Sequence, residues 1–179
     1  FLGTKYGNLS IDKFVRNILK KNKVKFKEYK WKDRGSDERQ YMSPGVEIPT
    51  VSLMSSKFKE YKEYHTSDDN LDFISQKGLK KHYEIYKKII IEYEKLIFPK
   101  SRFVGEPQLG KRNLYPNIND YSLNKSNKLK SLSRHILNFL SYSDGRNSIQ
   151  DICNYINIDY KTAFKIYNLI KKNNLILHD

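Results

Sequence analysis

The segment around His65 contains the residue types of a metal-binding loop. It reads Glu63-Tyr64-His65-Thr66-Ser67-Asp68-Asp69, so one imidazole is followed at once by a hydroxyl and then by carboxylates. Imidazole is a common metal ligand, and a neighbouring polar group can hold it in one orientation. A catalytic zinc usually takes three protein ligands, so one His cannot hold it. His65 is therefore a candidate for one ligand of a site whose other ligands lie elsewhere, although a His in a polar loop is more often only solvated.

A second polar segment, Gly35-Ser36-Asp37-Glu38-Arg39-Gln40-Tyr41, offers two interpretations. In the first, the two acids and Arg39 form a buried structural network, with Arg39 paired to Glu38 or Glu47. In the second, Arg39 or Tyr41 lines a pocket and binds a substrate carboxylate, because a guanidinium presents a planar pair of donors to such a group. The residues themselves leave both interpretations open.

The net charge of +14 raises the question of a nucleic-acid partner. However, 27 of the 34 basic residues are Lys, they are dispersed along the chain, and they occur with abundant Asn, Ile and Tyr. Such a composition is also produced by an AT-rich coding sequence. The charge therefore does not favour nucleic acid, which stays a minority interpretation.

Cysteine usage and hydropathy limit the cellular compartments in which the protein is expected. The one cysteine, Cys153, excludes an internal disulfide and a cysteine-cluster zinc site, and it fits a reducing compartment. The longest apolar run, Ile89-Ile90-Ile91, is flanked by charged residues and is far too short for a membrane span. These features predict a cytoplasmic protein without a membrane partner.

The first 98 residues alternate between helical and extended patterns. Apolar spacing predicts a helix over 9–21 capped by Ser10 and a long helix over 75–97 capped by Ser75. A period-two pattern predicts strands over 24–29 and 46–54. This order predicts an α/β layer arrangement.

The rest of the chain predicts a connector over 99–127, rich in Pro, Gly and Asn, and a small helical module over 128–179. Asp144-Gly145 marks a turn, Ser148 and Asp159 are helix caps, and 175–177 is a short strand, which together make a winged-helix-like domain. Cys153 is predicted to be a buried small residue. The lysines of the last helix could meet DNA phosphates, but a solvated face on an interaction or dimerisation module is favoured, which leaves a homo-oligomer open.

Several motifs in order resemble one known family. They are Gly35 to Tyr41, Ser43-Pro44-Gly45, Ile48-Pro49, Glu63 to Phe73, Glu106 to Arg112, and Ser143-Asp144-Gly145. They resemble bacterial aminopeptidase-like proteins that are associated with polysaccharide biosynthesis. The peptidase core of that family is similar to dinuclear zinc exopeptidases, and its members end in a winged helix. The resemblance covers nearly the whole chain.

The resemblance implies a role for each motif. His65 corresponds to the last metal-binding His of the related exopeptidases, and Asp69 to the following acid, which orders the loop or supports the ligand. Ser36-Asp37-Glu38 corresponds to a Ser-Asp-His element of those enzymes, with Glu38 in place of the His. Asp37, Glu38, Arg39 and Tyr41 are the candidates for a substrate-binding rim.

The other metal ligands and the catalytic Glu of the exopeptidases belong to N-terminal segments that have no counterpart here. The chain is therefore expected to be the C-terminal part of a mixed α/β/α zinc-exopeptidase-like core followed by a winged helix. Its partners would be the N-terminal part, two zinc ions and a peptide-like or amino-acyl small-molecule substrate, and alone it would be inactive. The alternative is a winged-helix nucleic-acid-binding or assembly protein with a degenerate peptidase remnant.

Overall fold

A computed structural model describes residues 1–115 and 123–177, and the side chains of all of these except 123–130. The chain divides into two compact units, Phe1–Lys95 and Leu96–Asp179. Within the described residues, no helix is long and apolar enough to cross a membrane.

The first unit is built from three helices joined by long irregular segments. They are α1 (Ser10–Lys21), the single-turn α2 (Glu38–Tyr41) and α3 (Gln76–Tyr93). Val15 and Leu19 of α1 are buried with Phe1, and the partly buried Ile85 and Ile89 of α3 pack against them. The unit therefore has a small core between α1 and α3.

The capping predictions for the first unit have two different outcomes. Ser75 caps α3 as predicted, because its hydroxyl accepts a hydrogen bond from the Gly78 amide at 3.1 Å. The Ser10 cap is wrong, since Leu9 occupies the cap position. The buried carboxylate of Asp12, in the first turn, accepts a hydrogen bond from the amide of Leu9 at 2.9 Å, so the cap residue is held from inside the helix.

The mixed α/β core is not confirmed in the described residues. Where strands were predicted over 24–29 and 46–54, the extended chain forms only isolated bridges, from Leu2 to Tyr29 and from Leu2 to Ser52. Leu2 and Ser52 exchange both backbone hydrogen bonds, at 2.9 and 3.0 Å, but the pairing stops there. A pairing one residue long is not a strand, so the unit is helical with extended segments around it.

The second unit has three α-helices within its described residues. They are α4 (Leu123–Ser141), α5 (Ile149–Ile156) and α6 (Tyr160–Lys172), and a short 3₁₀ helix over Gly110–Arg112 precedes them. The predicted caps are confirmed, because Ser148 accepts from the Asp151 amide at 3.2 Å and Asp159 from the Thr162 amide at 3.0 Å. Cys153 is buried as predicted, and the core of the unit joins all three helices through residues such as Phe139, Ile152 and Ile166.

Residues ahead of α4 are part of this second core. Leu109 and Leu114, which lie in the predicted connector 99–127, are buried with the three helices. Ser101 and Lys100 form isolated antiparallel bridges to Ile176 and Asp144, so the strand predicted over 175–177 is present only as a single bridge at Ile176. The part of the predicted connector over 116–122 lies outside the described residues.

Candidate functional site

His65 lies in a tight turn and presents an exposed ring. Its backbone φ is 60°, in the left-handed region that few residues other than glycine adopt. The ring stacks on Tyr64 with 4.0 Å between centroids and 18° between planes. Within the described residues the imidazole makes no hydrogen bond, so both ring nitrogens are available to a ligand from outside the chain.

Thr66 folds the turn that carries His65. Its hydroxyl donates to the Glu63 carbonyl at 2.8 Å and accepts from the Asp68 amide at 3.2 Å. The Thr66 carbonyl also accepts from the Asp69 amide at 3.2 Å. The hydroxyl that follows the His therefore orders the backbone and does not contact the imidazole.

Aromatic rings support the same turn from one side. Tyr61 stacks on Phe73 at 5.4 Å and meets Tyr64 edge-on at 5.7 Å, so the ring beneath His65 is itself packed. Loss of solvent around the Tyr61 hydroxyl raises its pKa, and the nearby Asp69 carboxylate adds to that rise. The Asp69 side chain is exposed, and in the described part of the chain no contact joins it to His65.

The described residues do not contain a complete metal site. No group of three or more His, Cys, Asp or Glu residues comes within reach of a common metal ion in ranges 1–115 and 123–177. His65 therefore has no companion ligands within those ranges, and its role as a metal ligand stays a prediction.

The Asp37–Tyr41 segment divides into outward and inward side chains. Asp37, Arg39 and Tyr41 are exposed, and the Arg39 guanidinium lies 5.8 Å from the Trp31 ring centre. Glu38 turns inward, where its carboxylate accepts a hydrogen bond from the Ser52 hydroxyl at 2.7 Å. No hydrogen bond, ion pair or ring contact joins this segment to the His65 turn within the described residues.

Arg34 is the residue that sequence reasoning missed. Its side chain is fully buried, one amino group donates to the Leu2 carbonyl, and Nη1 lies 3.7 Å from the Glu38 carboxylate. Burial lowers the pKa of Arg34, and the Glu38 and Asp12 carboxylates oppose that effect. Arg34 has an extended backbone and α2 begins only at Glu38, so the pair does not lie along a helix and the sequence carried no helical signal for it.

This buried pair is incompletely hydrogen-bonded. Arg34 Nε, Arg34 Nη1 and Glu38 Oε2 are buried atoms with no hydrogen-bond partner in the described structure. Buried polar atoms normally have hydrogen-bond partners. Because these three atoms have none among the described residues, the attraction between the two opposite charges is what stabilises the pair. The two interpretations of the segment thus apply to different side chains: Glu38 belongs to a buried network, and Arg39 and Tyr41 are at the surface.

A separate groove of about 710 Å³ lies in the same unit, between the end of α1 and α3. Its lining is mixed, with the apolar Leu19, Phe26 and Ile85 beside charged residues such as Glu60 and Lys88. His82 lines it with its ring bonded to the Ser55 hydroxyl at 2.7 Å, so this second imidazole already has a partner. His65 is not among the residues that line this groove.

Comparisons with known proteins match both units. Residues 1–95 match a family described as "Domain of unknown function (DUF4910)", and residues 98–178 match one described as "winged helix-turn-helix". A protein of Clostridium acetobutylicum named "Putative polysaccharide biosynthesis protein with aminopeptidase-like domain" is 36% identical over 157 residues, which are 83% of this chain and 33% of that protein.

A solved structure with a similar description also matches the chain. A crystal structure described as a "putative peptidase" from Clostridium acetobutylicum matches with a TM-score of 0.52 and 28% identity, over 98% of this chain and 37% of that one. The chain therefore spans about one third of the length of the relatives that it matches.

Proposed function

The chain belongs, over residues 1–95, to the family described as "Domain of unknown function (DUF4910)", and from that membership and its aminopeptidase-like relative we propose that it is the C-terminal portion of a zinc-dependent hydrolase of peptide-like or amino-acyl substrates. In this proposal the hydrolase is linked to surface polysaccharide biosynthesis, as the name of the relative suggests. The winged helix-turn-helix over 98–178 is its C-terminal domain.

The exposed His65 imidazole is the observation that carries the proposal. Its ring nitrogens have no hydrogen-bond partner in the described residues, and its backbone is held in the left-handed region by a hydrogen-bonded turn. An uncommon backbone conformation at a candidate site is typical of residues whose orientation matters. His65 would supply one nitrogen ligand, and the ordered turn would limit the entropy lost on binding.

Zinc fits this chain only as a shared ion. Zinc sites take three or four protein ligands, and the described residues supply one suitable imidazole without a companion set. When bound, zinc ions polarise a carbonyl and activate a water molecule. The remaining ligands and the catalytic base are proposed to lie in the N-terminal part of the longer protein.

The exposed side chains of the Asp37–Tyr41 segment are proposed as a substrate-binding rim. Arg39 offers a planar pair of donors for a substrate carboxylate, and the 47%-exposed Tyr41 ring offers an apolar surface with a hydroxyl. Asp37 carries the opposite charge, which suits a substrate ammonium group. Glu38 is proposed to hold the segment in place through Arg34 and Ser52.

Hydrolysis of a panel of aminoacyl 4-nitroanilides tests this proposal. The full-length protein is expected to release 4-nitroaniline, to lose that activity with 1,10-phenanthroline, and to regain it with added zinc. The 179-residue chain alone is the matched control and is expected to be inactive. Activity of the chain alone, or activity of the full-length protein that resists the chelator, would contradict the proposal.

A further inference from the structure

The groove between the end of α1 and α3 is lined by two kinds of side chain. Apolar residues such as Leu19, Phe26 and Ile85 form part of the lining. Among the charged residues of the lining, lysines outnumber acids by five to two. The lysines are Lys25, Lys27, Lys57, Lys81 and Lys88, and the acids are Glu60 and Glu84. With a volume of about 710 Å³, the groove has room for a small molecule that combines an apolar body with a charged group.

Most of the positive charge in the groove has no negative partner. Lys27 Nζ lies 3.4 Å from the Glu60 carboxylate, which also accepts a hydrogen bond from the Tyr29 hydroxyl, so this acid is already engaged. The other four lysines of the lining form no ion pair within the described residues, and Glu84 is the acid that remains beside them. Ammonium groups gathered at one groove repel one another unless an anion lies between them. The groove is therefore suited to a negatively charged ligand.

Hydrogen bonds hold one wall of the groove against α3. The Tyr86 hydroxyl donates to the Leu53 carbonyl at 2.7 Å. The Ser55 hydroxyl lies 2.7 Å from the His82 ring nitrogen Nε2, so a second bond joins the same extended segment to the helix. Because groups of the protein itself hold this wall, a ligand has to order few side chains when it binds.

The lysines argue against a protein surface as the occupant of the groove. Lysine is depleted from protein interfaces, and burial of an unpaired charge costs free energy unless the covering surface supplies a matching acid. Lys25, Lys81 and Lys88 are exposed, and each would need such an acid. A small anion can meet the same charges without covering the whole groove. A small molecule is therefore the occupant that the charges favour.

We propose that the groove binds a small organic anion with an apolar body and one acidic group. The apolar lining contacts the body of the ligand, and the lysines bind its carboxylate, sulfonate or phosphate. A lysine ammonium is a point charge with three donors, so it binds any of these groups and does not select their geometry. This proposal is independent of the hydrolase proposed above, because His65 does not line the groove.

Two fluorescent probes of nearly the same shape test the proposal on the full-length protein. The first, 8-anilinonaphthalene-1-sulfonate, carries a sulfonate, and the second, N-phenyl-1-naphthylamine, has the same rings without it. The sulfonate probe is expected to bind about tenfold more tightly, because a hydrogen bond to a charged group contributes that much. An increase in salt from about 0.05 M to about 0.5 M is expected to remove most of this difference by screening the charges.

A matched pair of lysine variants on α3 separates the groove from the rest of the basic surface. Lys81→Ala removes a lysine that lines the groove, and Lys80→Ala removes its exposed neighbour, which does not line it. Lys81→Ala is expected to weaken binding of the sulfonate probe by about threefold, the size of one exposed charge contact. Binding of the neutral probe is expected to stay the same, and Lys80→Ala is expected to change neither.

A second pair of variants tests the apolar part of the groove. Phe26→Ala removes a ring of the lining and is expected to weaken binding of both probes by about tenfold. Tyr83→Ala removes an exposed ring of α3 that does not line the groove, and it is expected to weaken neither. Circular dichroism checks that each variant folds, and the two lysine variants decide the question if Phe26→Ala does not fold.

Competition against the sulfonate probe assigns the acidic group of the ligand. Octanoate and octyl phosphate share an alkyl chain, and the one that displaces the probe at the lower concentration identifies the preferred acidic group. Octan-1-ol has the chain without the charge, and inorganic phosphate has the charge without the chain. Each of these two controls is expected to need about tenfold more for the same displacement.

Three results would overturn the proposal. The first is equal affinity of the full-length protein for the two probes. The second is an equal effect of Lys80→Ala and Lys81→Ala on binding of the sulfonate probe. The third is binding of the sulfonate probe to the 179-residue chain but not to the full-length protein, which would show that another part of the longer protein covers the groove.

Discussion

The Arg34–Glu38 pair shows how one buried interaction can hold a candidate rim. Arg34 reaches back to the Leu2 carbonyl, and Glu38 reaches forward to the Ser52 hydroxyl. The pair thus ties α2 to two extended segments that are distant in sequence. Since Arg39 and Tyr41 follow Glu38 directly, their positions depend on this contact.

Removal of Glu38 is expected to be costly. Glu38→Ala removes the carboxylate that is ion-paired with the buried Arg34 guanidinium and leaves only the weaker influence of Asp12, and breaking one partner of a buried pair costs about 3–5 kcal/mol. Urea unfolding of the 179-residue chain, followed by circular dichroism, measures this change in the free energy of unfolding. Glu84→Ala removes an exposed carboxylate from α3 and is the control. Equal midpoints for the two variants would show that the buried pair is not needed.

Local residue types gave only part of the geometry around His65. The His65-Thr66 order was expected to hold the imidazole in one orientation, but the Thr66 hydroxyl orders the backbone of the turn and does not contact the ring. The burial of Arg34 could not be read in the same way, because its partner Leu2 is 32 residues away. When a side chain is buried against backbone atoms that are distant in sequence, the residues next to it show no pattern that predicts the burial.

At the scale of elements, helix termini were predictable and strands were not. Ser75, Ser148 and Asp159 cap their helices because a cap uses atoms only a few residues apart. Ser10 is not a cap because the helix already begins at Ser10, which leaves Leu9 at the cap position. The strand patterns over 24–29 and 46–54 needed neighbours along their whole length, and among the described residues the bridging partner is Leu2, with further backbone hydrogen bonds that join Phe1 to Lys27 and Tyr29.

The Asp159 cap predicts a pH dependence of the second unit. The bond from the Thr162 hydroxyl is the main cause that lowers the pKa of Asp159 in the folded state. A lowered folded pKa contributes stability that is fully present above the unfolded value, about 3.9, and is lost as pH falls through the folded pKa. Asp159→Asn keeps a hydrogen-bond acceptor but cannot titrate.

The expected result is a difference in the free energy of unfolding between wild type and Asp159→Asn that is largest at neutral pH and shrinks toward about pH 3. Urea unfolding monitored by helical circular dichroism at both pH values measures it. Glu106→Gln removes another exposed carboxylate of the same unit and controls for net charge. If this difference in free energy of unfolding stays constant with pH, the Asp159 cap stabilises the helix by its hydrogen bonds alone and not by its charge.

At the scale of the whole molecule, the two units differ in how fully their helices are buried. The second unit has a continuous core that joins its three helices and the segment before them. In the first unit α3 has no buried residue, and Leu79, Tyr83 and Ile90 are 60%, 60% and 58% exposed. The first unit is also the one whose proposed metal site lacks its other ligands. Both features fit a chain that spans about a third of its relatives.

Zinc content of the full-length protein is the most direct test of the central claim, that His65 is one ligand of a metal site completed by another part of the protein. Elemental analysis is expected to find about two zinc ions per wild-type molecule, as in two-metal hydrolases. His65→Ala is expected to lower that number, and His82→Ala, whose imidazole is already bonded to Ser55, to leave it unchanged. A folded His65→Ala protein that keeps the full zinc content would contradict the claim.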